Sequence, residues 1–309
     1  MKKFFLLLIM ATVTFAMQAQ EQAAVFNHYV VTPIVLTPAV AGFDNKHNIQ
    51  MNLNAAWVGF EGTPRTYAIQ YHGPIGKILG IGVGVLSENI GNTTLTRFQL
   101  NYAAHFEIRK VVKLGVGFST DFYNKKLARS VLESDLYDEG DFSVEDAVDG
   151  QNVFDAALGF WGTYNDQTFV GLTFPNLVVA KIGDIETGSQ EGSFLKSVIF
   201  NLGHKFEVSG SNLTLEPSLK ISKLLDVPIQ AHFNMIGGFM NEQLLAGLSF
   251  QAGTGGAMGL LLGTKVDVFR VYYSYGLGFS NFQQYSNGSH EITVGFSFDG
   301  GKKKFDRDK

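Results

Sequence analysis

The chain has 309 residues and a formal net charge of −4, with 35 glycines, 27 phenylalanines and no cysteine. Hydrophobic residues make up 45% and charged residues 17%, which excludes intrinsic disorder, since disorder needs low hydrophobicity and high charge. The lack of thiols excludes disulfide frameworks and cysteine nucleophiles, and the acidic balance argues against a nucleic-acid binder.

The first 19 residues are typical of a secretory signal peptide. Lys2 and Lys3 precede an apolar run from Phe4 to Phe15, and small residues lead to a cleavage site after Ala19. A membrane anchor is the alternative, but the run is shorter than the roughly 20 residues that a spanning helix needs. The sequence therefore predicts an exported protein.

The rest of the chain alternates between apolar and polar residues with a period of two, as β-strands do. In one such run, Leu114, Val116 and Phe118 alternate with Gly115, Gly117 and Ser119. Runs of about nine residues match the length of a tilted strand that crosses a bilayer. Counting the weaker runs, we predict an all-β fold: one transmembrane antiparallel β-barrel of about 14 strands, with a short Pro-containing N-terminal segment.

The lengths of the gaps between these strands support a barrel over a soluble all-β fold. The three longest gaps, 124–151, 176–195 and 277–289, all follow odd-numbered strands, so we expect them to be external loops. The gaps after even-numbered strands are short, as periplasmic turns are. The predicted divisions are a signal peptide (1–19), an N-terminal segment (20–46), the barrel (47–299) and a charged C-terminal tail (300–309).

The polar phase of the strands is expected to line the barrel lumen. It contains charged residues of both signs, namely Arg97, Asp121, Asp155, Glu216, Lys220 and Glu291. It also contains small residues, including Gly80, Gly82, Gly84, Gly115 and Gly117. Small inward residues leave room inside the barrel, and the segment before the first strand is a candidate to occupy it.

Sequence motifs of catalysis and cofactor binding are missing. Gly80 to Gly84 lies within a predicted strand, so no helix N-terminus follows it to hold a phosphate. His290-Glu291 lacks a second histidine four residues after His290, and no Gly-x-Ser-x-Gly motif occurs. We predict a non-enzymatic protein without a metal or other cofactor.

Residues 133–149 hold eight acidic side chains and no Lys or Arg. This external loop is a candidate calcium site or docking surface for a basic partner, and the alternative is a solvated loop. An EF-hand is excluded because Tyr137 occupies the third ligand position counted from Asp135.

The segment before the first strand contains a distinctive set of residues. Phe26 and Tyr29 are followed by Thr32-Pro33, then by Leu36-Thr37-Pro38-Ala39 and Ala41-Gly42. This set closely resembles the N-terminal signature of the PorP/SprF family, in which asparagines stand at the positions of Thr32 and Thr37. The resemblance continues through most of the chain, at Trp57–Thr66, Gly73-Pro74, Ile90-Gly91, Gly171–Leu177, Leu215–Ser218, Tyr273–Tyr275 and Gly288–Ile292.

The resemblance implies an outer-membrane component of the type IX secretion and gliding machinery of Bacteroidetes-type bacteria. Such a protein assists export or surface anchoring of an adhesin-like cargo that carries a C-terminal secretion domain. Its expected partners are this cargo, other type IX components and the lipid of the outer membrane. The candidate partner-binding residues are Phe26, Tyr29, Pro33, Pro38, Trp57, Phe60, Pro64, Asp138, Asp141, His290 and Glu291. The rival functions are a passive porin or small-molecule transporter and, less favoured, an outer-membrane hydrolase.

Overall fold

The computed structural model describes residues 27–59, 61–108, 110–135, 137–181, 196–224, 227–253 and 255–300. The predicted signal peptide and most of the predicted charged tail lie outside these ranges, as do Phe26 and Phe60. Within the ranges, no helix is both long and apolar enough to cross a bilayer.

Almost all regular structure is antiparallel β-sheet. The strands are β1 (His47–Ala55), β2 (Arg65–Ile75), β3 (Leu79–Ile90), β4 (Thr93–Ile108), β5 (Val112–Leu127), β6 (Gln151–Tyr164), β7 (Thr168–Phe174), β8 (Ala180–Lys181), β9 (Val198–His204), β10 (Phe206–Val208), β11 (Leu213–Leu224), β12 (Val227–Phe239), β13 (Leu244–Ala252), β14 (Ala257–Val266), β15 (Phe269–Gly278) and β16 (Ser289–Phe298). One α-helix, α1 (Phe142–Asp149), lies between β5 and β6.

The sheet closes on itself into a barrel of 14 strands, as predicted. β1 pairs with both of its neighbours, so that Asn52 lies opposite Ala68 of β2 and opposite Thr293 of β16. On the far side β9 pairs with both β7 and β11. β10 pairs with β11 in the same register as β9, and it therefore continues β9 past a break at Lys205. β8 pairs only with β6 and lies outside the closed ring.

The two faces of the barrel wall carry opposite kinds of side chain, and the apolar face is the outer one. On β5, Phe118 and Phe122 are 42% and 44% exposed, whereas the intervening Ser119 and Asp121 are 0% and 6% exposed. Other strands follow the same rule, with exposed Ile49, Met51 and Leu53 on β1 alternating with buried Gln50 and Asn52. An apolar outer face and a polar inner face are what a barrel surrounded by lipid requires.

The connections differ between the two ends of the barrel. At the short-turn end, strands are joined by turns of two to four residues, such as 165–167, where Asn165 and Asp166 adopt positive φ angles of 53° and 55°. The long-loop end carries the connections between β5 and β6, between β7 and β9 and between β15 and β16. The described residues 56–59, 61–64, 91–92 and 255–256 belong to shorter connections at the same end.

The strand limits differ from the prediction in several places. β4 and β5 are 16 residues long, well beyond the predicted length of about nine, and the ladder between β3 and β4 continues to Ile90 and Thr93 as a tall hairpin. The first strand ends at Ala55, and Trp57 has a φ of +52° in the following loop. The connection between β5 and β6 contains α1 and a 3-10 helix, Arg129–Glu133, which alternation could not reveal.

The described residues before β1 lie inside the barrel, except for Asp44 to Lys46, which are exposed. We call residues 27–46 the lumenal segment; it contains three 3-10 helices, Asn27–Val30, Pro33–Val35 and Pro38–Val40. The first of these packs on β15 and β16, and the third packs on β4, β5 and β6. A fifth short 3-10 helix, Asn281–Tyr285, belongs to the long-loop end. The lumen of this barrel is therefore occupied by its own chain.

Candidate functional site: the occupied lumen

Glycines of the barrel wall make the space for the third turn of the lumenal segment. A Cβ added to Gly115 would lie 2.8 Å from the carbonyl oxygen of Ala39, and one added to Gly117 would overlap Ala39 itself. Gly159 on β6 likewise leaves space for Thr37. The segment approaches so closely that no larger wall residue fits here. The prediction that Gly115 and Gly117 leave room for this segment is confirmed.

Small residues of the lumenal segment complete this fit near its C-terminal end. Ala41 is fully buried, and a Cβ on Gly80 of β3 would overlap its carbonyl group. Gly42 has a φ of +70°, and a Cβ there would lie 2.7 Å from the backbone of Gly73. Only glycine allows both the positive φ angle and the close approach to Gly73 at position 42. The Ala-Gly pair of the family signature thus has a steric explanation.

Glu291 on β16 holds the beginning of the described segment. Its two carboxylate oxygens accept hydrogen bonds from the backbone N–H groups of Asn27, at 2.6 Å, and of His28, at 3.1 Å. The Glu291 side chain is almost completely buried. Buried backbone N–H groups need an acceptor, and the Glu291 side chain supplies one to each of these two groups. One wall carboxylate therefore binds two consecutive peptide groups.

His28 adds a side-chain contact at the same place. Its Nδ1 lies 2.7 Å from the hydroxyl of Thr293 and 3.3 Å from Glu291, and Asn52 of β1 also donates to Thr293. Burial lowers the pKa of His28 to about 3. The imidazole is therefore neutral at pH 7, and its contact with Glu291 is not an ion pair at that pH.

Tyr29 contacts a different part of the wall. Its hydroxyl accepts a hydrogen bond from the amide of Asn234 on β12, and its ring lies 4.0 Å from the ammonium of Lys220 on β11. The ring of His232 approaches edge-on at 6.2 Å between centroids. A cation over an aromatic face is attracted by the ring quadrupole. Tyr29 therefore covers a polar patch of the β11–β12 wall.

Apolar side chains also fix the segment. Val30 and Val31 pack against an inward-facing cluster of Ile236, Leu245 and Tyr272. Burying each such side chain contributes about 1.5–3 kcal/mol at most, so this cluster adds to the polar contacts.

A second apolar contact lies on the opposite side of the segment. Ile34 packs with Ala41 and with Ala103 of β4. Closer to the short-turn end, Gly42 donates its N–H to His72 at 3.2 Å, and His105 contacts the carbonyl of Ala39 at 3.2 Å. The lumenal segment is thus anchored from Asn27 to Gly42.

Two lumenal carboxylates lie side by side on the wall. Asp121 of β5 and Asp155 of β6 are register partners, and both are buried. Asp121 accepts from Ser119 at 3.0 Å, and Asp155 accepts from Asn176 at 2.8 Å. No three His, Cys, Asp or Glu side chains converge as a metal site would require anywhere in the described ranges.

The long-loop end brings other candidate residues together. The backbone N–H of Trp57 donates to Ser289, and that of Val58 donates to Gly288 at 2.8 Å. Pro64 closes the same loop by accepting from Ala56 at 2.9 Å. His290 lies 2.9 Å from the hydroxyl of Tyr273 and faces away from the lumen. The side chains of the neighbours His290 and Glu291 therefore lie on opposite faces of the wall.

The acidic loop is held by its own side chains. Asp141 caps α1 by accepting from the N–H groups of Ser143 and Val144, at 3.0 and 3.4 Å. Glu145 accepts from Tyr137 at 2.7 Å, and this bond raises the pKa of the Tyr137 hydroxyl. Asp138 is exposed. This part of the loop is a folded helix rather than an irregular stretch.

The predicted partner-binding residues fall into two groups. Tyr29, Pro33, Pro38 and Glu291 belong to the lumenal assembly, whereas Trp57, Pro64, Asp138, Asp141 and His290 lie towards the long-loop end. Phe26 and Phe60 are outside the described residues. A role for any of them in partner binding stays a prediction. The sequence analysis did not identify Thr293, Asn234 and Gly159 as contacts of the lumenal segment. Their positions on the inward-facing side of alternating strands could have indicated them.

The closed 14-stranded wall, its apolar outer surface and its polar, filled interior define an outer-membrane β-barrel protein. A family model described as type IX secretion system membrane protein PorP/SprF matches residues 18–296. The chain belongs to the PorP/SprF family. This membership associates it with type IX secretion, and the family and fold are those of a secretion-linked membrane protein rather than of an enzyme.

Solved structures share the barrel fold. The CymD monoaromatic hydrocarbon channel superposes with a TM-score of 0.55 at 12% identity, over 90% of this chain and 95% of that chain. The Ralstonia pickettii toluene transporter TbuX gives a TM-score of 0.53 at 7% identity, over 87% of this chain and 93% of that chain. At these identities the likeness concerns the fold alone. No curated protein sequence matches the chain.

Proposed function

We propose that this protein is a non-enzymatic outer-membrane component of type IX secretion that assists export or surface anchoring of a cargo protein. The cargo is adhesin-like and is recognised through its C-terminal secretion domain. Family membership supplies the secretion system, and the observation that carries the proposal is the occupied lumen. A barrel filled by its own residues 27–46 is better suited to binding a partner on its loops or rim than to passing solutes.

The anchoring of the lumenal segment supports this proposal over a passive porin. Glu291, Lys220 and Asn234 hold the segment from one side of the wall, and the glycines at 115, 117 and 159 receive it on another. Removing the segment would break several buried hydrogen bonds, each of which costs about 1–3 kcal/mol when a partner is left unsatisfied. The state in which the lumenal segment fills the barrel should therefore dominate.

The long-loop end is the surface that we assign to cargo. It combines exposed aromatic side chains, Trp57, Phe142 and Tyr285, with the acidic residues around α1. Aromatic side chains dominate the energetics of protein interfaces, and an acidic rim steers a basic partner towards them.

A deletion strain tests the role in secretion directly. The gene is deleted and complemented with the intact protein or with a variant that lacks residues 133–149. Surface proteins are then labelled on whole cells and identified. We expect one or a few large exported proteins to be lost from the surface of the deletion strain and restored by the intact protein. Normal export and anchoring of every surface protein would contradict the proposal.

Conductance separates this function from that of a porin. We expect the intact protein in planar bilayers to pass little current. A large, steady current through the intact protein would favour the porin.

A further inference from the structure

Part of the lumen wall carries buried polar groups that neither the segment nor the wall satisfies. Both side-chain atoms of Asn201, the hydroxyl of Ser218 and the Nε2 of His232 have no hydrogen-bond partner among the described residues. These three side chains are all more than nine-tenths buried. Buried polar groups without partners are uncommon in native proteins, and each one calls for an explanation such as a bound water or ion.

These groups are neighbours on three adjacent strands. Asn201 of β9 lies opposite Lys220 of β11, and Lys220 in turn lies opposite His232 of β12. Ser218 is two residues before Lys220 and so shares its inward face. Directly opposite residues on adjacent strands have Cβ atoms about 4.5–5.5 Å apart. The side chains therefore project into one small region of the lumen.

Lys220 places its side-chain nitrogen in this region, and a bound anion would favour the protonated form of that nitrogen. Its side chain is buried, and the face of the Tyr29 ring covers the ammonium at 4.0 Å. Glu291 is the acid that acts electrostatically on Lys220, but its carboxylate is engaged by the backbone N–H groups of Asn27 and His28. A buried charge is expensive unless it is paired and hydrogen-bonded.

The donor chemistry of the patch identifies the class of ligand. An ammonium, a carboxamide, a hydroxyl and an imidazole can each present an N–H or O–H to the same point. No carboxylate belongs to this set, which disfavours a cation. Such a convergence of donors around one positive charge suits a small anion.

We propose that Lys220, Asn201, Ser218 and His232 form a binding site for a small anion, a halide or a compact oxyanion, inside the lumen beneath Tyr29. The anion completes the hydrogen bonding of the β9–β11–β12 wall and offsets the charge of Lys220. Because Tyr29 covers the site, anion binding also stabilises the lumenal segment in its place inside the barrel, which we call its seated position.

Halide titration of the purified full-length protein in detergent tests the site. Thermal unfolding is followed while sodium bromide replaces sodium gluconate, a salt of a bulky anion, at constant ionic strength. We expect a saturable rise in Tm for the intact protein and for Lys223→Gln, an exposed lysine on the same strand that serves as the matched control. In Lys220→Met, which keeps side-chain length and removes the charge, the rise should be lost.

Crystals soaked in bromide supply an independent readout by anomalous scattering. We expect a bromide peak within hydrogen-bonding distance of the Lys220 Nζ. If Lys220→Met fails to fold, Asn201→Ala is used instead, and losing this donor should weaken the bromide Kd by about tenfold. The proposal is overturned by a Tm that does not respond to bromide, by an equal response in the Lys220→Met or Asn201→Ala variant, or by the lack of a peak at Lys220.

Discussion

The backbone N–H of Asn27 donates a hydrogen bond of 2.6 Å to Glu291, a residue 264 positions later in the chain. This bond joins the start of the described chain to the last strand of the barrel. The two regions, far apart in sequence, therefore meet inside the lumen, where Glu291 also accepts a hydrogen bond from the N–H group of His28. Four predictions test how this internal segment and the acidic loop work.

Removing the Glu291 carboxylate should loosen the lumenal segment. In Glu291→Ala the N–H groups of Asn27 and His28 lose their acceptors, which costs about 1–3 kcal/mol for each group. A single cysteine introduced at Thr37, which is fully buried, reports release of the segment through its rate of maleimide labelling. We expect labelling to accelerate at least tenfold, since about 1.4 kcal/mol corresponds to that factor.

Two variants control this measurement. Glu291→Gln keeps one side-chain oxygen as an acceptor and should label at an intermediate rate. Glu107→Gln removes an exposed carboxylate from β4 and should label as the parent protein does. Identical rates in Glu291→Ala and the parent would show that the carboxylate does not hold the segment.

Adding a methyl group at Gly117 should disturb the barrel more than adding one at Gly295. Both glycines face inward, but a Cβ on Gly117 would overlap Ala39, whereas a Cβ on Gly295 would meet its nearest atom at 3.4 Å. Overpacking typically costs about 1–3 kcal/mol. We expect Gly117→Ala to lower the midpoint of urea unfolding in detergent and Gly295→Ala to leave it nearly unchanged. Equal midpoints would contradict the close fit at Ala39.

Acid should weaken the seating of the lumenal segment through His28. Burial lowers the pKa of His28 to about 3, below its ordinary value of 6.5. Between these values a released His28 binds a proton that the seated one does not, so seating loses up to about 1.4 kcal/mol per pH unit as the pH falls. The stabilisation that neutral His28 gives to the lumenal segment inside the barrel is complete above pH 6.5 and is lost as the pH falls towards 3.

The cysteine reporter at Thr37 measures this effect, with each rate divided by that of a free cysteine peptide at the same pH. We expect normalised labelling to rise from pH 7 to pH 5 in the parent protein. The rise should be smaller in His28→Asn, which keeps a polar group near Thr293 and does not titrate. A pH response that is unchanged in His28→Asn would assign it to other groups.

Asp138 and Asp141 should differ although both belong to the acidic loop. Asp141 caps α1, and loss of an N-cap costs about 0.5–2 kcal/mol, whereas Asp138 is exposed and caps nothing. We expect Asp141→Ala to raise proteolysis of residues 133–149 and Asp138→Ala to leave it unchanged. If the loop binds cargo electrostatically, both variants should reduce cargo at the cell surface. A defect in Asp141→Ala alone would assign the role to helix stability rather than to charge.

Much of the barrel could be predicted from local pattern. The alternation of residues such as Phe118 with Ser119 identified which side of each strand meets lipid, because lipid selects apolar side chains at every second position. The strand number and the division into long and short connections followed from the same pattern. The helix in residues 142–149 did not, because a short capped helix in an acidic loop has no period of two.

The sequence by itself determined the wall: 14 alternating strands, an apolar outer face, and a lumen rich in glycine and polar residues. It also marked residues 26–42 as unusual through their prolines and small side chains. Only the tertiary structure decided that Glu291 accepts from Asn27, that Gly117 leaves space for Ala39, and that Asn201 and His232 lie on either side of Lys220. Periodicity reports the environment on each side of a strand, whereas contacts across a lumen depend on barrel closure and register, which join residues far apart in the chain.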